Sequence, residues 1–205
     1  MDELTIKTFV LGDLLNNCYL IFNKRSRKAI LIDAPPINNG FSDFIDKERL
    51  EISFIALTHA HFDHIGSLNR LAAPFYVHKS ELDFLSDAKL NGSSFFSMPL
   101  IVKREALTYE EGVPLSFESH RIDVIDTPGH TPGSVSLRLN NWLFSGDALF
   151  FNSIGRTDIP LASEETLIKS IKEKLFKLPP ETIVYPGHGP ATTIGREKEL
   201  NPFLQ

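Results

Sequence analysis

One cysteine, Cys18, is all the thiol this chain carries, so no internal disulfide can form, and the expected setting is a reducing, cytoplasmic one. Basic residues are in deficit too: 21 Lys and Arg against 26 Asp and Glu leave a formal net charge of −5. Nucleic-acid binding draws on a concentrated basic surface, so no nucleic-acid partner is expected. No stretch approaches the roughly 18–20 consecutive apolar residues that cross a bilayer, and no membrane attachment is expected. Met1-Asp2-Glu3 puts acidic residues where a secretory signal carries its basic n-region. No glycine-rich nucleotide loop is present, which sets aside a doubly wound dinucleotide fold. No internal repeat or low-complexity linker is evident, and no feature of the sequence points to an oligomeric state.

The remaining composition is that of a chain able to bury a core: 205 residues, 42% hydrophobic and 23% charged. That length suits one domain spanning residues 1–205. Short apolar runs read as strands at Ile6 to Leu11, Cys18 to Phe22 and Ala29 to Ile32. A helix is expected from Gly40 to Glu48, with Phe41, Phe44 and Ile45 on one stripe. Ile52 to Leu57 reads as a buried strand, and Ile65, Leu68 and Leu71 follow at helical spacing. Phe75 to Val77 resumes a strand, and the loop-rich stretch from Asp87 to Pro99 has the length of a site rim or flap. Later strands are expected at Arg121 to Ile125, Ser134 to Leu139, Trp142 to Ser145 and Thr182 to Tyr185. Ser163 can cap a helix carrying Leu167, Ile171 and Leu175, stopped by Pro179-Pro180. Strands clustered at both ends, with helices after several of them, fit an α+β arrangement of two sheets with helices outside.

Five of the seven histidines fall at strand ends or tight turns, at positions 59, 61, 64, 130 and 188. His59 and His61 are two residues apart, so an extended backbone presents both rings on one side. Asp63 and His64 come as the chain turns into the following helix, where they can address a second point nearby. Zinc and other borderline divalent ions accept imidazole nitrogen and carboxylate oxygen at roughly 2.0–2.1 Å. One short segment cannot close two coordination shells. Further ligands are supplied by His130 in Thr127-Pro128-Gly129-His130-Thr131-Pro132-Gly133, by Asp147 after Phe144-Ser145-Gly146, and by His188 in Pro186-Gly187-His188-Gly189-Pro190.

Thr58-His59-Ala60-His61-Phe62-Asp63-His64, with His130, Asp147 and His188, resembles the complete motif set of the metallo-β-lactamase superfamily. Within it, Gly155-Arg156-Thr157-Asp158 and the turns around His130 and His188 are most similar to the glyoxalase II group, the hydroxyacylglutathione hydrolases. The resemblance implies a four-layer αββα sandwich and two divalent metal ions per chain, zinc first, with iron or manganese as alternatives. It implies that His59, His61 and His130 hold one metal, that Asp63, His64 and His188 hold the other, and that Asp147 bridges them. A water shared by the two metals and ionised to hydroxide would attack a thioester carbonyl, with Asp63 as the catalytic residue that accepts a hydrogen bond from it. The implied substrate is a small-molecule thioester, S-2-hydroxyacylglutathione. The helical C-terminal glutathione-binding domain of full-length glyoxalase II is expected to be absent, because the sequence stops soon after His188. Two other functions share the ligand pattern: a mononuclear iron persulfide dioxygenase, and a lactonase or phosphodiesterase.

Residues around the motif carry expectations of their own. Thr58 can donate a hydrogen bond to a neighbouring loop, and Asp33 either orients a ligand histidine or caps its strand. Arg156 either pairs with Asp158 to brace the loop after Asp147 or contacts the substrate. Phe95 and Phe96 either line the substrate groove from the flap or belong to the core. His78 and Cys18 read as structural, and His120 as a surface histidine.

Overall fold

The computed structural model describes residues 4–205; the Met1-Asp2-Glu3 opening, read above against a secretory signal, lies outside the described residues. The chain forms two compact units, one of residues up to 77 together with 82–108, the other of 78–81 with 109–205.

The first unit is built on β1 (Leu4–Leu11), β2 (Asn16–Asn23), β3 (Lys28–Ile32), β4 (Glu51–Ala56), β5 (Phe75–His78) and β6 (Leu107–Tyr109), hydrogen-bonded in that order. The β1–β2 and β2–β3 pairs are antiparallel, whereas β3–β4 and β4–β5 are parallel. Period-two alternation sends Cys18, Leu20 and Phe22 of β2 into one core with Ala29, Leu31, Ile55, Leu57, Phe75 and Val77. Helix α1 (Asn39–Glu48) covers part of that core with Phe41 and Phe44, whose rings meet Phe9 of β1 edge-on at 5.1 and 5.6 Å. Asn38 caps it by accepting a hydrogen bond from the Phe41 amide.

Helix α2 (Phe62–Ile65) is one turn long, shorter than the apolar spacing predicts. Gly66 packs so tightly on Pro36 that a β-carbon there would stand 2.7 Å from the proline ring. The chain continues in turns, and Leu68 reaches the core without a helix. The flap after α3 (Leu82–Ser86) holds one 3₁₀ turn at Ser93–Phe96 and is pinned. Buried Asn91 donates to the carbonyls of Phe84 and Leu100, both at 2.9 Å, and its own carbonyl accepts from the Phe62 amide at the start of α2.

The second unit holds β7 (Leu115–Phe117), β8 (His120–Asp126), β9 (Val135–Leu139), β10 (Trp142–Gly146), β13 (Ile183–Pro186) and β14 (Thr192–Thr193), in the order β14-β13-β10-β9-β8-β7. Between β10 and β13 lie a small hairpin, β11 (Leu149–Phe150) and β12 (Ser153–Ile154), and helix α4 (Glu164–Glu173). Ser163 caps α4, as its position predicts, by accepting from the Thr166 amide. The helix ends before Leu175, which the sequence placed inside it. Leu175 instead starts a 3₁₀ turn and still packs with Leu167, Ile171, Leu143 and Val184. The last helix, α5 (Ile194–Leu200), is fastened by Glu197. This fully buried carboxylate accepts from the Thr192 hydroxyl, the Arg196 guanidinium, the Asn201 amide and the Asn152 backbone N–H. Among the described residues, no helix is long and apolar enough to cross a membrane.

Cys18 is fully buried, and burial pushes its thiol well above the ordinary range, with the Asp33 carboxylate adding to the effect. The native protein should therefore leave a thiol-specific reagent unreacted near neutral pH and consume one equivalent only on unfolding. A timed thiol titration with and without denaturant checks this; prompt native-state reaction would contradict the burial.

Candidate metal centre

Strand β4 delivers its following residues in extended conformation, hydrogen-bonded as far as Leu57, whose amide donates to the Tyr76 carbonyl. The His59 and His61 rings consequently meet edge-on, centroids 4.8 Å apart, and the turn into α2 brings the His64 ring to 4.1 Å from that of His59. The donor atoms of the pairs His59–His61, His59–His64 and Asp63–His64 lie within 4.8 Å of each other.

This segment is held by Asp33, which sits just beyond β3 with a left-handed backbone at φ 59°. Its carboxylate accepts from the Thr58 amide at 2.7 Å, the Thr58 hydroxyl at 2.8 Å and Nδ1 of His64 at 2.9 Å. A carboxylate in that role only accepts, so the His64 proton is on Nδ1 and Nε2 presents a lone pair. Asn16, at the start of β2, donates to Oδ2 of Asp63 at 2.9 Å.

The second unit supplies the other three. The His130 turn is docked on α4: the Ser163 amide donates to the Gly129 carbonyl and the Ser170 hydroxyl to the Pro128 carbonyl, both at 2.8 Å. Nδ1 of His130 donates to the Arg156 carbonyl at 2.9 Å, which again turns Nε2 outward as an acceptor. Asp147 follows β10, and Gly155 passes directly over it, since a β-carbon at Gly155 would fall 1.8 Å from the Asp147 carbonyl oxygen. His188 follows β13, fixed by the Gly187 amide donating to the Gly146 carbonyl at 2.8 Å. Within this unit, Oδ2 of Asp147 is 3.6 Å from Nε2 of His130 and 3.6 Å from Nε2 of His188.

These separations suit metal ligation. Two donor atoms at roughly 2.0–2.1 Å from one tetrahedral ion stand roughly 3.4 Å apart. The Asp147 pairs match that spacing, as does the 3.8 Å between Oδ2 of Asp63 and Nε2 of His64. Nitrogen and carboxylate donors, with the far ring nitrogens of His64 and His130 already engaged, fit a borderline divalent ion.

The residues around the motif fall out differently. Arg156 and Asp158 form a two-pronged ion pair at 2.8 and 2.9 Å, which raises the arginine pKa and lowers that of the carboxylate. Arg156 thus reaches His130 through its carbonyl, while its side chain is held by Asp158. Neither Phe95 nor Phe96 joins the core: they are 70% and 51% exposed. The Phe96 ring lies against Phe62 at 4.8 Å and lines a cavity beside Asp63, whereas Phe95 is not among that cavity's walls. His78 is buried and accepts from the Ser80 amide. Sequence reasoning missed Asn16 and also Glu81, a fully buried carboxylate that accepts from the Gly133 amide at 2.8 Å and steadies the His130 turn. Asn16 left only a faint trace, an asparagine pair at the head of a strand whose middle is apolar.

Comparison with known proteins gives this arrangement its relatives. The family model described as the metallo-beta-lactamase superfamily matches residues 11–188. A Bacillus subtilis protein named probable metallo-hydrolase YqgX is 37% identical over 200 residues, 94% of each chain. A Haemophilus influenzae protein named hydroxyacylglutathione hydrolase GloC is 36% identical over 196 residues, 92% of each chain. Among solved structures, the BLEG-1 B3 metallo-beta-lactamase superposes with a TM-score of 0.92 at 38% identity, covering 98% of this chain and 99% of its own. TTHA1623 in a di-iron-bound form gives 0.85 at 36%, covering 97% and 100%. The fold is the mixed alpha/beta sandwich class typical of metallo-beta-lactamases, as the sequence led one to expect.

Asp33→Asn tests the support of the first ligand set at an unchanged backbone, since asparagine tolerates left-handed φ. Its amide cannot accept from all three donors. Metal affinity should fall by about 10–100-fold, read by competition with a chromogenic chelator. Unaltered affinity would show that Asp33 merely caps its strand.

Proposed function

The chain belongs to the metallo-beta-lactamase superfamily, and from that premise we propose that it hydrolyses acyl thioesters, of the S-2-hydroxyacylglutathione kind, with two divalent metal ions. The chain is a metal-binding hydrolase of this superfamily. The observation that carries the proposal is the position of Asp147, whose single oxygen stands 3.6 Å from Nε2 of both His130 and His188. A carboxylate so placed suits a bridge between two ions. His59, His61 and His130 would hold one, Asp63, His64 and His188 the other. The di-iron form of TTHA1623 and the name of the Haemophilus influenzae relative support the metal count and the substrate class respectively. Zinc, iron and manganese all suit these donors. We read residues 1–205 as one catalytic domain acting in the cytoplasm on a small molecule.

Bound there, a metal pair supplies Lewis acidity and lowers the pKa of a water enough for attack near neutral pH. The rest falls to the chain. Asp63, steadied by Asn16, accepts the hydrogen bond that orients the attacking water toward the acyl carbonyl. Asp33 and the Arg156 carbonyl hold the His64 and His130 rings, so the donors need no rearrangement as charge develops. A thiolate, with an ordinary pKa of about 8.5, departs without a strong general acid.

A panel of thioester, lactone, phosphodiester, β-lactam and persulfide substrates on metal-quantified protein tests the reading. Near two metals per chain with preferential thioester turnover, abolished by chelation, is the expected result. One iron per chain with oxygen uptake on a persulfide would overturn it, as would preferential cleavage of another member. Asp147→Ala should lower occupancy at both sites and reduce turnover by at least about a hundredfold; full double occupancy in that variant would defeat the bridging assignment.

A further inference from the structure

The first unit contains a cavity of about 370 Å³ walled by Leu14, Phe62, Phe96, Met98, Pro99 and Leu100, within the size range of small-ligand sites. Its floor is fixed: Pro36 is wedged against Gly66, and Leu100 is tied through its amide to the Ser93 hydroxyl and through its carbonyl to Asn91, both at 2.9 Å. Its rim is apolar yet open to solvent, with Leu14, Phe96 and Met98 exposed by 41%, 51% and 61%. Large apolar side chains gathered at a cavity mouth mark a surface that something covers. Methionine, unbranched and polarisable, adapts to ligands of varied shape.

Two further features identify the occupant. Asp63 forms part of the wall, so a group in the cavity lies beside a residue assigned above to the reacting centre. The charged residues of the lining are Asp13 and Asp63, both acidic, and no Lys, Arg or His lines it. Glutathione carries two carboxylates, and the lining offers no basic side chain to pair with either.

We propose that this cavity receives the uncharged, apolar acyl arm of the substrate and not its thiol carrier. The assignment rests on the thioester reading above and narrows it to acyl groups longer or more apolar than lactoyl. Phe96, Met98 and Leu14 then act as specificity determinants.

The chain has two methionines, Met1 and Met98, so methyl-13C-methionine labelling gives a spectrum in which Met98 reports on the cavity without any turnover. Butanamide, hexanamide and octanamide should shift the Met98 signal, with affinity rising about three- to fourfold per added methylene, whereas free glutathione should leave it in place. In Phe96→Ser the increment should fall below about twofold per methylene. In parallel, kcat/KM for S-acylglutathiones should rise along a three- to six-carbon acyl series. A Met98 signal indifferent to the amides, moved equally by glutathione, or dependent on protein concentration alone as for a second copy of the chain, would overturn the assignment. So would turnover of thioesters at rates independent of acyl length. Amide binding with no thioester turnover would sustain the apolar site while removing the hydrolytic reading, so the two failures are separable.

Discussion

The first ligand set depends on one carboxylate. Asp33 takes three hydrogen bonds within 2.9 Å, from the Thr58 amide, the Thr58 hydroxyl and the His64 ring. It thereby couples the end of β3 to the segment that leaves β4. Because β3 and β4 are parallel, their ends lie side by side, and the chain need only turn away from each strand for Asp33 and the histidines to meet. The left-handed backbone at Asp33 costs free energy, offset by hydrogen bonds that a buried anion requires. The ligand geometry of His64, including which nitrogen faces outward, follows from that arrangement.

The second unit solves the same problem with backbone. The His130 turn is seated by α4 and steadied by Glu81, Asp147 is overlaid by Gly155, and His188 leaves β13 under a hydrogen bond to Gly146. Asp147 and His188 follow the parallel pair β10 and β13, and His130 sits in a turn pinned by hydrogen bonds, so sheet register and anchored turns together set their positions. A site on rigid elements keeps its donor spacing when empty, which limits the reorganisation needed on binding.

Much of this was legible in the sequence. Histidine spacing along an extended segment dictates which rings share a face, and the segment that leaves β4 realises it at His59 and His61. Apolar runs located the long strands, because burial on one or both faces imposes a pattern that composition alone reveals. Legibility was poorest at element ends, because an apolar stripe continues past a helix wherever the following turn also packs on the core. The helix predicted through Leu68 and Leu71 gives way to turns after Ile65, and α4 ends before Leu175 although that residue keeps its place in the core. Two-residue strands such as β11, β12 and β14 are too short to carry a period. Asn16 and Glu81 act on residues 47 and 52 positions away, and no local signal encodes such distances. Exposure of Phe95 and Phe96 defied the usual fate of phenylalanine, and at Phe96 that departure marks the cavity mouth.

The two oriented histidines are secured by chemically unlike partners, and that difference has a bearing on which positions tolerate change. His64 leans on the side chain of Asp33, so nearly any exchange at position 33 disturbs it. His130 leans on a main-chain oxygen that every amino acid possesses. Position 156 is therefore free to vary in character, and with it the surface charge beside the ligand turn, while the imidazole it anchors keeps its orientation.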